Sequence, residues 1–192
     1  IPSYNRSKKT LALVSEILKY PNADIEVLVL DNCSTDDTRS ALSAVRDPRF
    51  VFKRNPRNIG GVRSGMKALT MASGEYVLLC LDKDSVRRKN IGKLVSFLEK
   101  NSGVVFGYCS LDIQKEAPSE IFPAGAASLR RVGYLSKHPT GYFYRTDVLK
   151  KLDIFNRFTA EETVMGFPCE FISGEMSMLG DTAVVGIPLC FT

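Results

Sequence analysis

"DIEVLVLDNCSTDDT", residues 24–38, decides how the chain folds. An apolar run ends in an acid, Asp31, and is followed at once by Ser34, Thr35 and Asp36, all side chains suited to cap a helix. A short, continuously apolar strand that closes on a turn and a helix is the mark of a buried strand in a parallel sheet. The same grammar repeats outward. Leu11, Val14 and Leu18 share one helical face before the strand, and a helix is expected after it, as far as Val45. "RFVFK" (49–53) reads as a strand, and "NPRNIGG" (55–61) as a loop leading into a helix with Val62, Met66 and Leu69 on one side. "EYVLLCLD" (75–82) is the next strand, with a helix bearing Ile91, Leu94, Val95 and Leu98 behind it, and "GVVFGYC" (103–109) is another.

This alternation predicts an α/β sheet flanked by helices on both faces. Residues 110–127 break the rhythm with Pro, Gly and mixed side chains, which predicts a long loop. "GYFYRTDVLKKL" (141–152) then reads as strand plus helix. "CEFISGEMSMLG" (169–180) reads as a helix with Ile172, Met176 and Leu179 on its packed face, and "TAVVGIPL" (182–189) as a last strand. One domain over residues 1–192 is the expectation. The opening "IPSYNR" reads as the middle of a unit whose first strand has been cut away.

Composition narrows the function classes. Twenty-six Lys and Arg against 21 Asp and Glu give a net charge of +5, which suits anionic ligands or an anionic membrane surface. No nucleic-acid motif accompanies it, so nucleic acid is not an expected partner. The five cysteines are odd in number and scattered without a C-x-x-C pair, which suits reduced thiols in a cytosolic protein. One histidine, His138, excludes chemistry that needs two imidazoles; it is expected to hydrogen-bond its neighbours in a loop, within reach of an acceptor. No apolar run approaches the roughly 20 residues of a membrane-spanning helix.

The chemistry concentrates where strands end. In open α/β sheets ligands bind beyond the carboxyl ends of the strands. Asp31 closes one strand, and Asp82 and Asp84, one residue apart, close another. Like charges gathered at one edge call for a counter-charge, and Mg²⁺ or Mn²⁺ bridging a diphosphate would supply it.

Four segments taken in order resemble the family 2 glycosyltransferases of the GT-A fold: "IPSYNR" (1–6), "VLVLDNCSTDDT" (27–38), "NPRNIGGVRSGM" (55–66) and "GEYVLLCLDKD" (74–84). "HPTGYFYRTDVLKKL" (138–152) is similar to that family's acceptor-side segment. The resemblance implies a mixed, mostly parallel GT-A sheet. It also implies a metal-dependent, inverting transfer of a sugar from a nucleotide-diphosphate donor, a UDP-sugar above all, to a saccharide or lipid-linked acceptor.

Residues 1–109 would then form the donor half and 110–192 the acceptor half. Pro2, Ser3, Tyr4 and Asn5 match the lining of base and ribose, and Asp31 the acid that hydrogen-bonds the base. Asn58, Gly60 and Arg63 match the loop and cation near the diphosphate. Asp84 matches the direct metal ligand, and Asp82 the acid between ribose and metal. Glu170 matches the catalytic base, with Glu161 and Glu162 as alternatives. Relatives serve bacterial surface-polysaccharide and glycolipid assembly, which implies the cytoplasm, at the inner face of the membrane. The sequence departs from the pattern at Asn32 and Ser85, where acids are common, and at Cys169, where the family has a Glu before its base.

Other readings remain open. "LLCLDKDSV" (78–86) also fits the D-x-D motif of haloacid-dehalogenase-like phosphatases, with Asp82 as nucleophile and Asp84 as acid/base. That motif belongs near a chain's start, whereas three strand-helix units precede it here, and Asp181 lacks the second acid such an enzyme needs. A nicotinamide site lacks its G-x-G-x-x-G. A non-catalytic interaction module predicts no nucleotide binding.

Overall fold

Three parallel strands carry the first half of the chain. In the computed structural model, which describes residues 1–22, 24–109, 115–133, 138–159 and 168–191, β1 (Pro2–Ser3) leads into α1 (Ser7–Leu18) and β2 (Val27–Asp31) into α2 (Thr38–Ser43). β3 (Phe50–Arg54) then leads into α3 (Gly61–Met71). The strands align in the order β1-β2-β3, with Ser3 opposite Asp31 and Asp31 opposite Arg54. Val14 of α1, Val27 and Val29 of β2 and Leu42 of α2 form one buried cluster, so the predicted helix face meets the predicted strand. The helix expected to run to Val45 stops at Ser43, and its start is organised by Asp36, which accepts the Thr38 N–H at 3.0 Å. Ser34 and Thr35, expected as caps, are engaged elsewhere.

The second half builds a mixed sheet. β4 (Tyr76–Leu78), β5 (Ser85–Val86), α4 (Ile91–Lys100), β6 (Val104–Cys109) and β7 (Glu120–Phe122) come first. α5 (Ala126–Ser128), β8 (Tyr142–Arg145), α6 (Thr146–Lys151), α7 (Ile154–Thr159), α8 (Pro168–Leu179), β9 (Asp181–Val185) and β10 (Cys190–Phe191) follow. The order is β4-β8-β6-β9-β7, with a separate antiparallel pair β10-β5. The expected parallel character holds for β1-β2-β3 and β6-β9, while β4-β8, β8-β6 and β9-β7 are antiparallel. Part of the expected 110–127 loop is an edge strand. Glu120–Phe122 are too few and too exposed to leave a periodic signal, and the calls on 110–114 fall outside the described residues.

Strand alternation sorts the aromatics of β8 onto two faces. Tyr142 and Tyr144 stand with Phe106 and Tyr108 of β6 in a buried aromatic layer, ring centroids 5.1 to 6.4 Å apart. Phe143 faces the opposite core with Leu94 and Leu98 of α4. Such pairs add roughly 0.5–1.5 kcal/mol each beyond their burial. Ile172 and Met176 of α8 cover the aromatic layer, as predicted. Leu179, expected beside them, is 54% exposed because the helix ends there and the chain turns through Gly180 into β9.

Candidate active site

The carboxyl ends of β1, β2 and the β4 segment meet at one edge, and most of the residues singled out from the sequence converge there. Asp82 is buried. It accepts the Tyr4 N–H at 3.3 Å and lies 3.4 Å from the Arg6 Nε. Burial is the main cause that raises its pKa, opposed by Ser3, Tyr4 and Arg6 and reinforced by the charge of Asp84. Asp84 is also buried. Its Oδ2 accepts the Thr140 hydroxyl and lies 3.5 Å from His138 Nδ1, while its Oδ1 takes no hydrogen bond from a described residue.

The base-side loop is tied together from beneath. Asn5, in the left-handed region at φ 52°, donates its N–H to Ser34 Oγ at 2.8 Å and accepts the Thr35 N–H through Oδ1 at 2.8 Å. Asn tolerates that conformation better than most side chains. Asp31 has no exposed surface: it accepts the N–H and hydroxyl of Ser34 and pairs with Arg54. Ser34 thus engages Oδ1 and Arg54 engages Oδ2. Asn32 is the hub of the neighbouring loop. Its amide nitrogen donates to Asn58 Oδ1 at 2.8 Å and to the Gly60 carbonyl at 3.3 Å, and its oxygen accepts from Asn55 and Ile59 at 3.0 Å each. Gly60 has φ 85°, with open space where a Cβ would stand, so backbone conformation rather than crowding calls for glycine.

Pro2 is half-buried in β1 opposite Leu30. Arg63 is half-buried in the first turn of α3 and bonds no described residue. Glu170 lies in the first turn of α8, half-buried and without a described hydrogen-bond partner. α8 runs into β9 at the edge opposite Asp82 and Asp84, so its first turn lies about 18 Å along the helix from that edge. No contact joins Glu170 to the aspartates. Glu161 and Glu162 lie outside the described residues. The residues the sequence did not single out for the site are Arg6, Arg54 and Thr140. Ser34 was marked only as a cap and Asn32 only as a departure.

A cleft of about 750 Å³ opens against Asp82 and Asp84, between α1 and residues 83–89. Lys9, Lys83 and Lys89 line it and form no ion pair with a described residue, while Arg88 lies 3.5 Å from Glu16. Among the described residues no three His, Cys, Asp or Glu side chains form a metal cage. Two buried carboxylates, one of them with an oxygen to which no described residue donates, nevertheless fit Mg²⁺ or Mn²⁺, which take oxygen ligands and are commonly held by one or two carboxylates plus substrate phosphates and water. Asp181 opens β9 at the far edge, so it cannot complete a phosphatase site with Asp82.

An α/β fold with paired acids buried at the carboxyl edge of its strands has the architecture of a ligand-binding enzyme domain. Residues 1–156 match Glycosyl transferase family 2, and the chain belongs to that family. It is 26% identical over 195 residues to the poly(ribitol-phosphate) beta-N-acetylglucosaminyltransferase TarS of Staphylococcus aureus, covering 95% of this chain and 34% of TarS. It is 32% identical over 114 residues to the Escherichia coli UDP-Glc:alpha-D-GlcNAc-diphosphoundecaprenol beta-1,3-glucosyltransferase WfgD, covering 59% of this chain and 44% of WfgD. The chain spans about a third of the length of its first curated relatives. The crystal structure of S. aureus TarS 1-349 superposes with a TM-score of 0.76 at 21% identity, over 100% of this chain and 58% of that one. The Pyrobaculum calidifontis mannosyltransferase PcManGT, in complex with GDP-Man and Mn²⁺, superposes with a TM-score of 0.68 at 18% identity, over 97% and 55%. The fold is therefore GT-A.

Proposed function

We propose that this chain carries out metal-dependent, inverting transfer of a sugar from a UDP-sugar to a saccharide or lipid-linked acceptor. The observation that carries the reading is the buried pair Asp82 and Asp84, anchored to Tyr4 and Thr140 and facing an open cleft. A neighbouring TarS structure in complex with UDP-GlcNAc and the UDP-Glc named for WfgD favour a uridine donor. The donor half is 1–109, and 110–192 faces the acceptor.

Pro2, Ser3, Tyr4 and Asn5 line the base and ribose, with Asp31 and Asn32 holding the loop beneath them. Asn58 and Gly60 shape the loop that brings Arg63 to the diphosphate. Asp84 and Asp82 would hold Mn²⁺ or Mg²⁺, which would supply charge stabilisation to the leaving diphosphate. Glu170 takes the proton of the attacking acceptor hydroxyl, a role worth about 10²–10⁴ in rate. Because the acceptor itself attacks the anomeric carbon, one displacement inverts it.

The three cleft lysines, none paired with a described acid, suit an anionic ligand beside Asp82 and Asp84. The same cations suit peripheral association with the inner membrane face, and no helix among the described residues is long and apolar enough to cross a membrane.

Melting with UDP, with Mn²⁺ and with both tests the reading. A transferase shifts most with both together, whereas a phosphatase responds to Mg²⁺ with a phosphate mimic, and an interaction module to neither. A nucleotide-sugar donor screen then names the sugar.

A further inference from the structure

Beyond Leu78, β4 and β8 stay paired for one more step. The Leu79 N–H reaches the Tyr142 carbonyl at 2.8 Å, and the Gly141 N–H reaches the Leu79 carbonyl at 3.0 Å. The next rung is different. The Leu81 N–H donates to the side-chain hydroxyl oxygen of Thr140 at 2.9 Å, and that hydroxyl donates its own proton to Asp84 Oδ2. A side chain has replaced the backbone acceptor of the ladder and passes the hydrogen bond on to the carboxylate. Thr140 is fully buried, so water does not compete for either bond.

Gly141 makes this substitution possible. Its φ is +104°, and a Cβ there would stand 2.7 Å from the Cys109 carbonyl oxygen, so both conformation and space require glycine. The kink turns the chain out of register just where Thr140 must face Asp84. The far side of the turn is held by His138, whose Nδ1 accepts the Thr140 N–H at 3.3 Å. Nδ1 approaches Asp84 Oδ2 only to 3.5 Å, longer than an ordinary N–H···O hydrogen bond. Thr140 is thus the one hydrogen-bond donor to the Asp84 carboxylate among the described residues.

We infer that Thr140 is the positioning residue of the metal clamp: it fixes Asp84 through Oδ2 and leaves Oδ1 for the ion. The inference rests on the reading of Asp82 and Asp84 as a metal site. A partner that orients a ligating carboxylate governs affinity without touching the metal, and its loss costs about 10–100-fold in metal affinity or activity.

The test is calorimetric titration of Mn²⁺ into the protein with UDP, alongside UDP titration without metal, for wild type, Thr140→Val, Thr140→Ser and Asp84→Ala. Thr140→Val keeps shape and removes the hydroxyl. Its Mn²⁺ affinity should fall by about 10-fold or more while metal-free UDP affinity stays unchanged. Thr140→Ser, which restores the hydroxyl, should recover most of the loss. Wild-type Mn²⁺ affinity in Thr140→Val overturns the inference and leaves the metal reading standing. No recovery in Thr140→Ser also overturns it, because packing of the methyl would then be the cause. Absence of any Mn²⁺ binding in wild type overturns the metal reading, and the inference with it.

Discussion

Asp31 offers the sharpest test of what a strand-end acid does in this fold. If its purpose is to contact the base, Asp31→Ala lowers UDP affinity and leaves the empty protein as stable as before. The structure supports a different outcome. The carboxylate is enclosed, accepts the Ser34 N–H at 3.0 Å and the Ser34 hydroxyl, and pairs with Arg54, whose side chain keeps 28% of its surface exposed. Removing one partner of a buried pair costs about 3–5 kcal/mol, and the partial exposure of Arg54 places this case at the lower end, about 3 kcal/mol. For a chain of this size about 2–4 °C follows each kcal/mol, so Tm should drop by about 6–12 °C. UDP binding weakens as well, because Ser34 no longer holds Asn5 in place. A double-mutant cycle with Arg54→Met isolates the pair, and Asp31→Asn and Arg54→Met should couple by about 1–3 kcal/mol. Calorimetric unfolding of the apo proteins is the assay. A Tm within 2 °C of wild type in Asp31→Ala, together with lost UDP affinity, would refute the anchoring role.

Three further outcomes follow from the geometry. Arg49 reaches the carbonyls of Leu18, Tyr20 and Asn22 at 2.6 to 2.8 Å and so satisfies the open end of α1; Arg49→Ala should lower the midpoint of denaturant unfolding, with m unchanged. Arg49 also hydrogen-bonds Asp47 and lowers its pKa from 3.8 to about 2, so this contribution is complete above the unfolded value and is lost as pH falls through about 2. Acid unfolding should therefore be less steep between those values in Asp47→Asn, and equal slopes in the two proteins would remove that pair from the account. Glu170→Gln should leave UDP affinity intact and cut transfer by about 10² or more, and an active Glu170→Gln would move the base elsewhere.

The residues that could be read from the sequence are those whose signal is local. Apolar runs gave β2, β3 and β6, helical spacing gave the packed faces of α1, α4 and most of α8, and strand-end acids marked the edge that carries the site. What escaped is set by long-range registration. Arg54 reaches Asp31 because β2 and β3 pair with those residues opposite each other, 23 positions apart, and nothing near either residue announces it. Thr140 lies 56 residues from Asp84. Asn32 looked like a missing acid. Its amide, able to donate and accept at once, joins Asn55, Asn58, Ile59 and Gly60, which a carboxylate lacking donors cannot do.

Asp82 and Asp84 lie together in the 1–109 half but are held by different parts of the molecule. Asp82 is tethered to the N-terminal segment through Tyr4 and Arg6, whereas Asp84 is tethered across 56 residues to the Thr140 turn. The single residue between them, Lys83, is exposed and has no partner among the described residues that would fix the spacing by itself. The distance between the carboxylates is therefore set by how β1 sits on β2 and how β8 sits on β4. A displacement of the Thr140 turn should change the orientation of Asp84 while Asp82 stays with residues 3–6. A perturbation on the acceptor side should accordingly appear first as weakened Mn²⁺ binding, whereas one at Tyr4 or Arg6 should weaken UDP even without metal. That asymmetry is what a clamp strung between two sheets produces, and a rigid strand-end turn carrying both acids together would not show it.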